Sequence, residues 1–251
     1  MVDTEKFVLK TVPLRFRGAD LKLDLSHALF SSNDIDAGSK LLLKAIARNA
    51  DPEAVGSILD IGSGVGVLGI ACALGYPGAS VSFRDRDALA CAFTERNARR
   101  NKVKPVAVEH ALFLDGLEGR EFDLVVCNVP AKAGAPVLDR FFRDVPLVVS
   151  ARGLGAVVVV NTIAEAARLS LAAGLAGTGI EQRVAEVGKG HTVFLFGRGG
   201  LGSLESDPGS LKIYERTGPV REVKPSSHRH VGFWGLPEFD TASFASDLAM
   251  E

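Results

Sequence analysis

Residues 58–66 read Ile-Leu-Asp-Ile-Gly-Ser-Gly-Val-Gly, and this stretch decides the fold. Its first four residues are a short apolar strand, and a buried helix pattern begins at Val67. The glycines between strand and helix permit a tight turn, and they let a ligand approach the backbone near the positive end of the helix. A strand that feeds a helix through such a loop is typical of a doubly wound α/β sheet.

The rest of the chain alternates between strand and helix patterns, at the spacing of a mostly parallel sheet wrapped by helices. Apolar residues at alternate positions on both sides of Gly18 predict a β-hairpin ahead of this region. Strands are predicted at 80–83, 106–108, 122–127, 157–160 and 192–196, and helices at 38–48, 67–74, 87–101, 137–149 and 164–176.

The composition divides the chain into three segments. Residues 1–27 form the N-terminal hairpin segment, residues 28–200 the α/β domain, and residues 201–251 a C-terminal extension. The extension begins with a linker-like stretch rich in glycine and serine, and its part from 211 to 230 is locally basic.

Charge and composition count against a strongly basic nucleic-acid-binding protein, a disulfide-linked secreted protein and a membrane protein. The net charge is −1 over 251 residues, so no global basic field draws the chain to nucleic acid. Cys72, Cys91 and Cys127 lie in apolar stretches, which indicates small buried side chains in a reducing compartment. No signal sequence and no apolar run of about 18 residues is present, so we expect a soluble cytoplasmic protein without a membrane span.

Two carboxylates flank the glycine loop. Asp60 comes immediately before it, where a carboxylate repels a pyrophosphate and attracts a ligand that carries ammonium and sulfonium groups. Asp85 ends the next strand, where it can accept hydrogen bonds from both ribose hydroxyls. This pair describes a site for S-adenosylmethionine. The alternatives are that both residues only cap helices, or that Gly64-x-Gly66-x-x-Gly69 belongs to a nicotinamide-dependent oxidoreductase.

Two motifs carry a family resemblance. Asp-Ile-Gly-Ser-Gly-Val-Gly (60–66) resembles the first motif of class I S-adenosylmethionine-dependent methyltransferases. The segment 28–43 is similar to the "methyltransferase small" family, which includes ribosomal RNA guanine-N2 methyltransferases; the matching positions are Phe30, Ser31, Asp36, Gly38 and Ser39. The resemblance implies a seven-stranded, Rossmann-like sheet. It also implies a cofactor site formed by Phe30, Gly38, Ser39, Asp60, Gly62, Ser63, Gly64, Asp85, Arg86, Leu112 and Asn128.

The fourth strand of that family ends in Asn-Pro-Pro-Phe/Tyr, and here the tetrad is Asn128-Val129-Pro130-Ala131. The family transfers a methyl group to a planar nitrogen whose lone pair is delocalised. The Asn oxygen and the next backbone carbonyl hold its N–H groups and stabilise positive charge as it develops. The resemblance therefore assigns catalysis to Asn128 and Val129, with Pro130 keeping the loop rigid.

The sequence departs from the family pattern at two positions. Ala131 replaces the aromatic ring that stacks on an extruded base, a contact worth about 1–3 kcal/mol. We expect another ring, from Phe30, Phe233 or Trp234, to substitute, and Lys132 to meet an anionic group of the substrate. Ala111 stands where many relatives place Asp or Asn near the adenine amino group.

The expected function is that of an S-adenosylmethionine-dependent N-methyltransferase, with S-adenosylhomocysteine as product. The resemblance makes RNA the expected substrate, and specifically a guanine exocyclic amine of ribosomal RNA. Two alternatives stay open: methylation of a protein amide or a small-molecule nitrogen, and an inactive S-adenosylmethionine-binding module. No metal site is expected, since His228-Arg229-His230 has no further ligands at useful spacing.

Overall fold

The computed structural model describes residues 4–29, 33–200, 204, 221–223 and 228–230. The helices in chain order are α1 (Ala37–Asn49), α2 (Val67–Gly75), α3 (Ala88–Arg100), α4 (Ala135–Asp144) and α5 (Ala164–Gly174). The strands are β1 (Val8–Phe16), β2 (Ala19–Ser26), β3 (Ser57–Ile61), β4 (Ser80–Asp85), β5 (Ala107–His110), β6 (Phe122–Asn128), β7 (Val149–Val160), β8 (Arg183–Val187), β9 (His191–Phe196), β10 (Arg221–Val223) and β11 (His228–His230).

Seven of these strands form one sheet in the order β5-β4-β3-β6-β7-β9-β8. The five neighbouring strands β5, β4, β3, β6 and β7 are parallel, and β9 runs antiparallel to both β7 and β8. Strand order reverses between β3 and β6, and ligands of open α/β sheets bind at the carboxyl ends of strands on either side of such a reversal. Asp60, near the end of β3, and Asn128, at the end of β6, both lie at this edge.

Helices cover both faces of the sheet, as a doubly wound fold requires. One apolar core lies between the sheet, the hairpin β1–β2 and helices α1, α2 and α3. A second core lies on the other face beneath α4 and α5. Cys72 and Cys127 are buried and Cys91 is half-buried, and all three thiols are free. Within the described residues, no helix has the length and apolar character needed to cross a membrane.

The predicted elements are present, with several differences. Strand β7 begins at Val149, eight residues before its predicted start at 157, and the short strands β10 and β11 were not predicted. The helix predicted over 137–149 is wrong at its end: α4 ends at Asp144, and a 3-10 turn with Pro146 leads into β7 at Val149. Proline lacks the N–H that would continue the helix. The edge strand β8 was not predicted, because its side chains are exposed or half-buried without a regular alternation.

The N-terminal hairpin is fixed to α3 through one buried carboxylate. Asp24 of β2 accepts hydrogen bonds from Thr11 Oγ1 at 2.6 Å and Arg96 Nε at 2.7 Å, and Arg100 lies 3.4 Å away. Asn97 donates to the Asp24 carbonyl and accepts from its N–H. Burial alone would raise the pKa of Asp24, but the hydrogen bonds from Thr11 and Arg96 and the charge of Arg100 hold it below its usual value.

Asp24→Asn is expected to lower the free energy of unfolding at pH 7 by about 2–4 kcal/mol, because two arginines lose their buried counter-charge. A depressed pKa means that the ionised carboxylate stabilises the fold above its unfolded pKa of about 3.9, and that this contribution is lost as the pH falls through the folded pKa. Chemical denaturation at pH 7 and at about pH 2.5, below the unfolded pKa, should therefore show a smaller difference between variant and wild type at the lower pH. Asp20→Asn, on the exposed end of the same hairpin, is the control and should change stability by less than about 0.5 kcal/mol. An equal effect of the two substitutions at pH 7 would contradict this account.

Candidate functional site

The glycine loop lies at the carboxyl edge of the sheet, where open α/β sheets bind their ligands in a crevice. Gly62, Gly64 and Gly66 have φ angles of +70°, +57° and +85°, which residues other than glycine rarely adopt. The N–H groups of Gly62 and Ser63 donate to the Arg84 carbonyl at 2.8 and 3.0 Å. A Cβ at Gly62 or Gly64 would meet no atom within 4 Å, so the loop offers bare backbone to an open space.

Helix α3 holds this loop from behind through two buried polar side chains. Thr94 Oγ1 donates to the Gly64 carbonyl at 3.1 Å and lies 3.0 Å from the Ser63 hydroxyl. Asn97 Nδ2 donates to the Val65 carbonyl at 2.8 Å. Sequence reasoning missed both residues. The available signal was their position on the buried face of an amphipathic helix, where an unpaired polar group is costly.

Asp60 is buried, and its two oxygens have different surroundings. Oδ2 accepts from the N–H of Gly69 in the first turn of α2 at 2.8 Å. Oδ1 is buried and has no hydrogen-bond partner among the described residues. Burial raises the pKa of Asp60 to about 7, the nearby Asp85 charge adds to the rise, and the Gly69 N–H opposes it. Helix capping thus accounts for one oxygen and leaves the other for a ligand.

Asp85 lies across the loop from Asp60, at the end of β4. Its Oδ2 accepts from the Gly64 N–H and its Oδ1 from the Asp87 N–H, both at 2.9 Å. Burial raises the pKa of Asp85, and these two N–H groups oppose the rise. Each carboxylate oxygen can accept a further hydrogen bond, so the residue keeps acceptors for a ligand that carries hydroxyl groups.

The residues predicted beside Asp85 lie around it. Arg86 is exposed, and its carbonyl is 2.6 Å from His110 Nε2. Leu112 is half-buried against the second core, next to Ala111, whose N–H donates to the Asp85 carbonyl. These residues follow the carboxyl ends of β4 and β5, beside Asp85.

Asn128 is held in one orientation by the segment that begins α1. Its Nδ2 donates to Asp36 Oδ1 at 3.0 Å and lies 3.1 Å from Ser39 Oγ, which in turn donates to Asp36 Oδ2 at 2.6 Å. Asp36 also caps α1 by accepting from the Ser39 N–H at 3.0 Å. The amide nitrogen is therefore committed to this network, and the amide oxygen is the group left for the crevice.

Of the predicted residues, Ser39 is part of this hydrogen-bond network and Gly38 packs beside it. Ser39 is buried beneath Asn128, and Gly38 has no room for a side chain: a Cβ there would lie 2.9 Å from both Asp36 Oδ1 and the His191 ring. The supporting role of Asp36 was not predicted, although Asp-x-x-Ser ahead of an apolar helix is a recognisable capping pattern. No sequence pattern pointed to His191 at this place.

The tetrad continues from Asn128 along the rim of the crevice. Val129 is buried, and its N–H donates to the Val158 carbonyl at 3.0 Å. Pro130 is exposed, Ala131 half-buried and Lys132 exposed, and the Ala133 N–H closes the turn on the Pro130 carbonyl. Phe30, Phe233 and Trp234, the rings expected to compensate for Ala131, lie outside the described residues.

Comparison with known proteins places this site in a family. The model of the methyltransferase small domain matches residues 20–178. The ribosomal RNA small subunit methyltransferase C of Mannheimia succiniciproducens is 34% identical over 116 residues, which is 46% of this chain and 33% of that protein. The uncharacterized protein YbxB of Bacillus subtilis is 28% identical over 135 residues, 53% of this chain and 66% of that protein.

Solved structures share the fold. The T. thermophilus 16S rRNA N2 G1207 methyltransferase RsmC, in complex with AdoMet and guanosine, superposes with a TM-score of 0.65 at 22% identity, over 76% of this chain and 51% of that one. The ribosomal protein L11 methylase of Lactobacillus delbrueckii gives a TM-score of 0.57 at 18% identity, over 70% of this chain and 84% of that one. The class I methyltransferase fold predicted from the sequence is thus confirmed.

The chain covers only part of each relative, whereas the family model covers most of the chain. The chain spans about one third of the length of the Mannheimia relative and about two thirds of that of YbxB. The family match is broader, since residues 20–178 are more than half of the chain. The chain therefore belongs to the methyltransferase small domain family.

Proposed function

We propose that this protein is an S-adenosylmethionine-dependent N-methyltransferase that acts on RNA, at a guanine exocyclic amine of ribosomal RNA. The observation that carries the proposal is the orientation of Asn128. Its amide nitrogen is bound by Asp36 and Ser39, which leaves an acceptor oxygen at the end of β6, next to the glycine loop on β3.

The crevice fits S-adenosylmethionine. The unpartnered oxygen of Asp60 suits the ammonium group, the bare backbone of Gly62 and Gly64 gives room for close approach, and Asp85 suits the ribose hydroxyls. Leu112 and Arg86 line the side where we place the adenine. When bound, this cofactor supplies an electrophilic methyl group on a positively charged sulfur.

The protein's own contribution to the reaction is to position the nucleophile. We assign the Asn128 oxygen and the Val129 carbonyl as acceptors for the two N–H groups of a planar amine. Both acceptors become better partners as positive charge develops on the nitrogen, so they stabilise the transition state more than the ground state. The methylated nitrogen then releases one proton to water, and no strong base is needed.

The choice of RNA rests on the relatives. Both the Mannheimia relative and the T. thermophilus structure are named as ribosomal RNA methyltransferases, and the latter contains guanosine. Since this chain spans only part of each, the substrate is our proposal.

One observation favours a second candidate, a protein amide or a small-molecule nitrogen as substrate. Ala131 is half-buried where the family has an aromatic ring, and the stacking it removes is worth about 1–3 kcal/mol per base. An inactive module that only binds the cofactor is the third candidate.

Radiolabelled methyl donor separates these candidates. Purified protein is incubated with S-adenosylmethionine and a cell extract from a strain that lacks the protein, and the product is treated with RNase or with protease. We expect the label to be lost to RNase and kept after protease treatment. Label that survives RNase and is lost to protease would identify a protein substrate, and label of low molecular mass that survives both treatments would identify a small molecule. Absence of label in every fraction would indicate the inactive module.

A further inference from the structure

We propose that a basic groove between the N-terminal hairpin and the end of α3 binds the sugar–phosphate backbone of the RNA, an inference that rests on the proposed function. The groove, hereafter the hairpin groove, has a volume of about 780 Å³. The polar side chains that line it are those of Arg15, Asp20, Lys22, Arg100, Asn101 and Lys102.

The charge of the hairpin groove differs from that of the molecule as a whole. The chain has a net charge of −1, yet four cations surround this groove with one carboxylate. Arg15 is 3.7 Å from Asp20, and Arg100 is 3.4 Å from Asp24. Lys22 and Lys102 are exposed and have no ion-pair partner among the described residues, so they are the cations available to a phosphate.

The two walls of the hairpin groove are fixed to each other. Asn101 at the end of α3 accepts from the Lys22 N–H at 2.9 Å and donates to the Lys22 carbonyl at 2.7 Å. Lys102 follows with a φ angle of +59°, and its N–H donates to the Arg99 carbonyl. Cations at the end of a helix complement its dipole, which accounts for Arg100 and Lys102. It does not account for Arg15 and Lys22, which lie on the hairpin.

The hairpin groove lies far from the crevice. Helix α3 begins just after Asp85 and runs for 13 residues, about 20 Å, back along the sheet to Arg100. Phosphate contacts position a nucleic acid and carry no sequence information, whereas base contacts in the crevice specify it. The groove therefore serves RNA long enough to reach both places, and an oligonucleotide confined to the crevice does not use it.

The test is a double variant, Lys22→Gln with Lys102→Gln, measured by fluorescence anisotropy on a structured ribosomal RNA fragment and on a trinucleotide. We expect the Kd for the long RNA to rise about tenfold, and the slope of log K against log salt to lose about 2, one for each phosphate contact. The Kd for the trinucleotide and the affinity for S-adenosylhomocysteine should not change. Arg152→Gln, an exposed cation outside the hairpin groove, is the control and should leave the Kd for the long RNA within twofold of wild type.

The outcomes separate this inference from the proposed function. An unchanged Kd and salt slope for the long RNA, with wild-type protein that methylates RNA, would overturn the groove and leave the function standing. Failure of the wild-type protein to methylate any RNA would overturn the proposed function itself. Lys22→Glu with Lys102→Glu provides a stronger second variant, for which we expect a larger loss on long RNA only.

Discussion

Asn128→Ala is expected to lower the rate of methyl transfer by about 100- to 1000-fold, the range found when one preorganised group that stabilises the transition state is removed. The variant loses the amide oxygen that holds the substrate N–H. It leaves Asp60, Asp85 and the glycine loop in place, so the affinity for S-adenosylhomocysteine should fall by no more than about tenfold, the equivalent of the one hydrogen bond that Asn128 can make to the cofactor. Single-turnover transfer to the true substrate, with calorimetric titration of the product cofactor, measures the two effects separately.

Ser39→Ala is the matched control for the role of orientation. It removes one of the two groups that accept a hydrogen bond from the Asn128 amide nitrogen, while Asp36 and the amide oxygen remain. We expect a loss in kcat of about tenfold, the equivalent of one hydrogen bond. An unchanged rate in Asn128→Ala would contradict the assignment of this residue, whatever the effect of Ser39→Ala.

Asp60→Asn is expected to weaken S-adenosylhomocysteine binding by about 100-fold at pH 8, because the ligand's ammonium group loses its charge partner in a buried place. The wild-type affinity should depend on pH. The pKa of Asp60 is raised to about 7, and only the ionised carboxylate attracts the ammonium group, so affinity should rise between about pH 6 and pH 8. In the Asn variant this rise should be absent.

Asp60→Asn should increase the free energy of unfolding at pH 8, although it weakens ligand binding. A carboxyl group whose folded pKa is raised binds more protons in the folded state, so its contribution is favourable at low pH and is lost as the pH rises through about 7. Asp60→Asn removes this penalty and can still accept from the Gly69 N–H. The amide NH2 that replaces the unpartnered oxygen has no acceptor, which offsets part of the gain, so we expect the variant to be more stable than wild type at pH 8 by about 1–2 kcal/mol in chemical denaturation. A variant that is less stable and binds as tightly as wild type would show that Asp60 is only a helix cap.

The sequence predicted the parts of the fold that depend on local pattern. The glycine loop, most of the alternating elements and the hairpin are set by residues close to one another in the chain, and they lie within a few residues of their predicted places. Strand β7 is the exception, since it begins eight residues before its predicted start. The end of α4 was placed too late because apolar residues continue past Pro146 into β7. Strand β8 was missed because an exposed edge strand has little apolar signal.

The sequence predicted the candidate residues of the site, but not the hydrogen bonds that hold them in place. Asp60, Asp85 and Asn128 were selected as polar residues at strand ends, and the topology brings those ends to one edge. The hydrogen bonds between Asn128 and the Asp36–Ser39 pair join residues about 90 positions apart, which no local pattern reveals. Thr94 and Asn97 make hydrogen bonds to loop residues about 30 positions away, and no local pattern reveals these bonds either.

The measurement that tests the central claim most directly is a calorimetric titration of the wild-type protein with S-adenosylhomocysteine, with NAD as the control ligand. The account predicts binding of S-adenosylhomocysteine in about the micromolar range, which corresponds to about −8 kcal/mol, and no binding of NAD. Binding of NAD, or of neither ligand, would contradict the assignment of the glycine loop and with it the role given to Asn128.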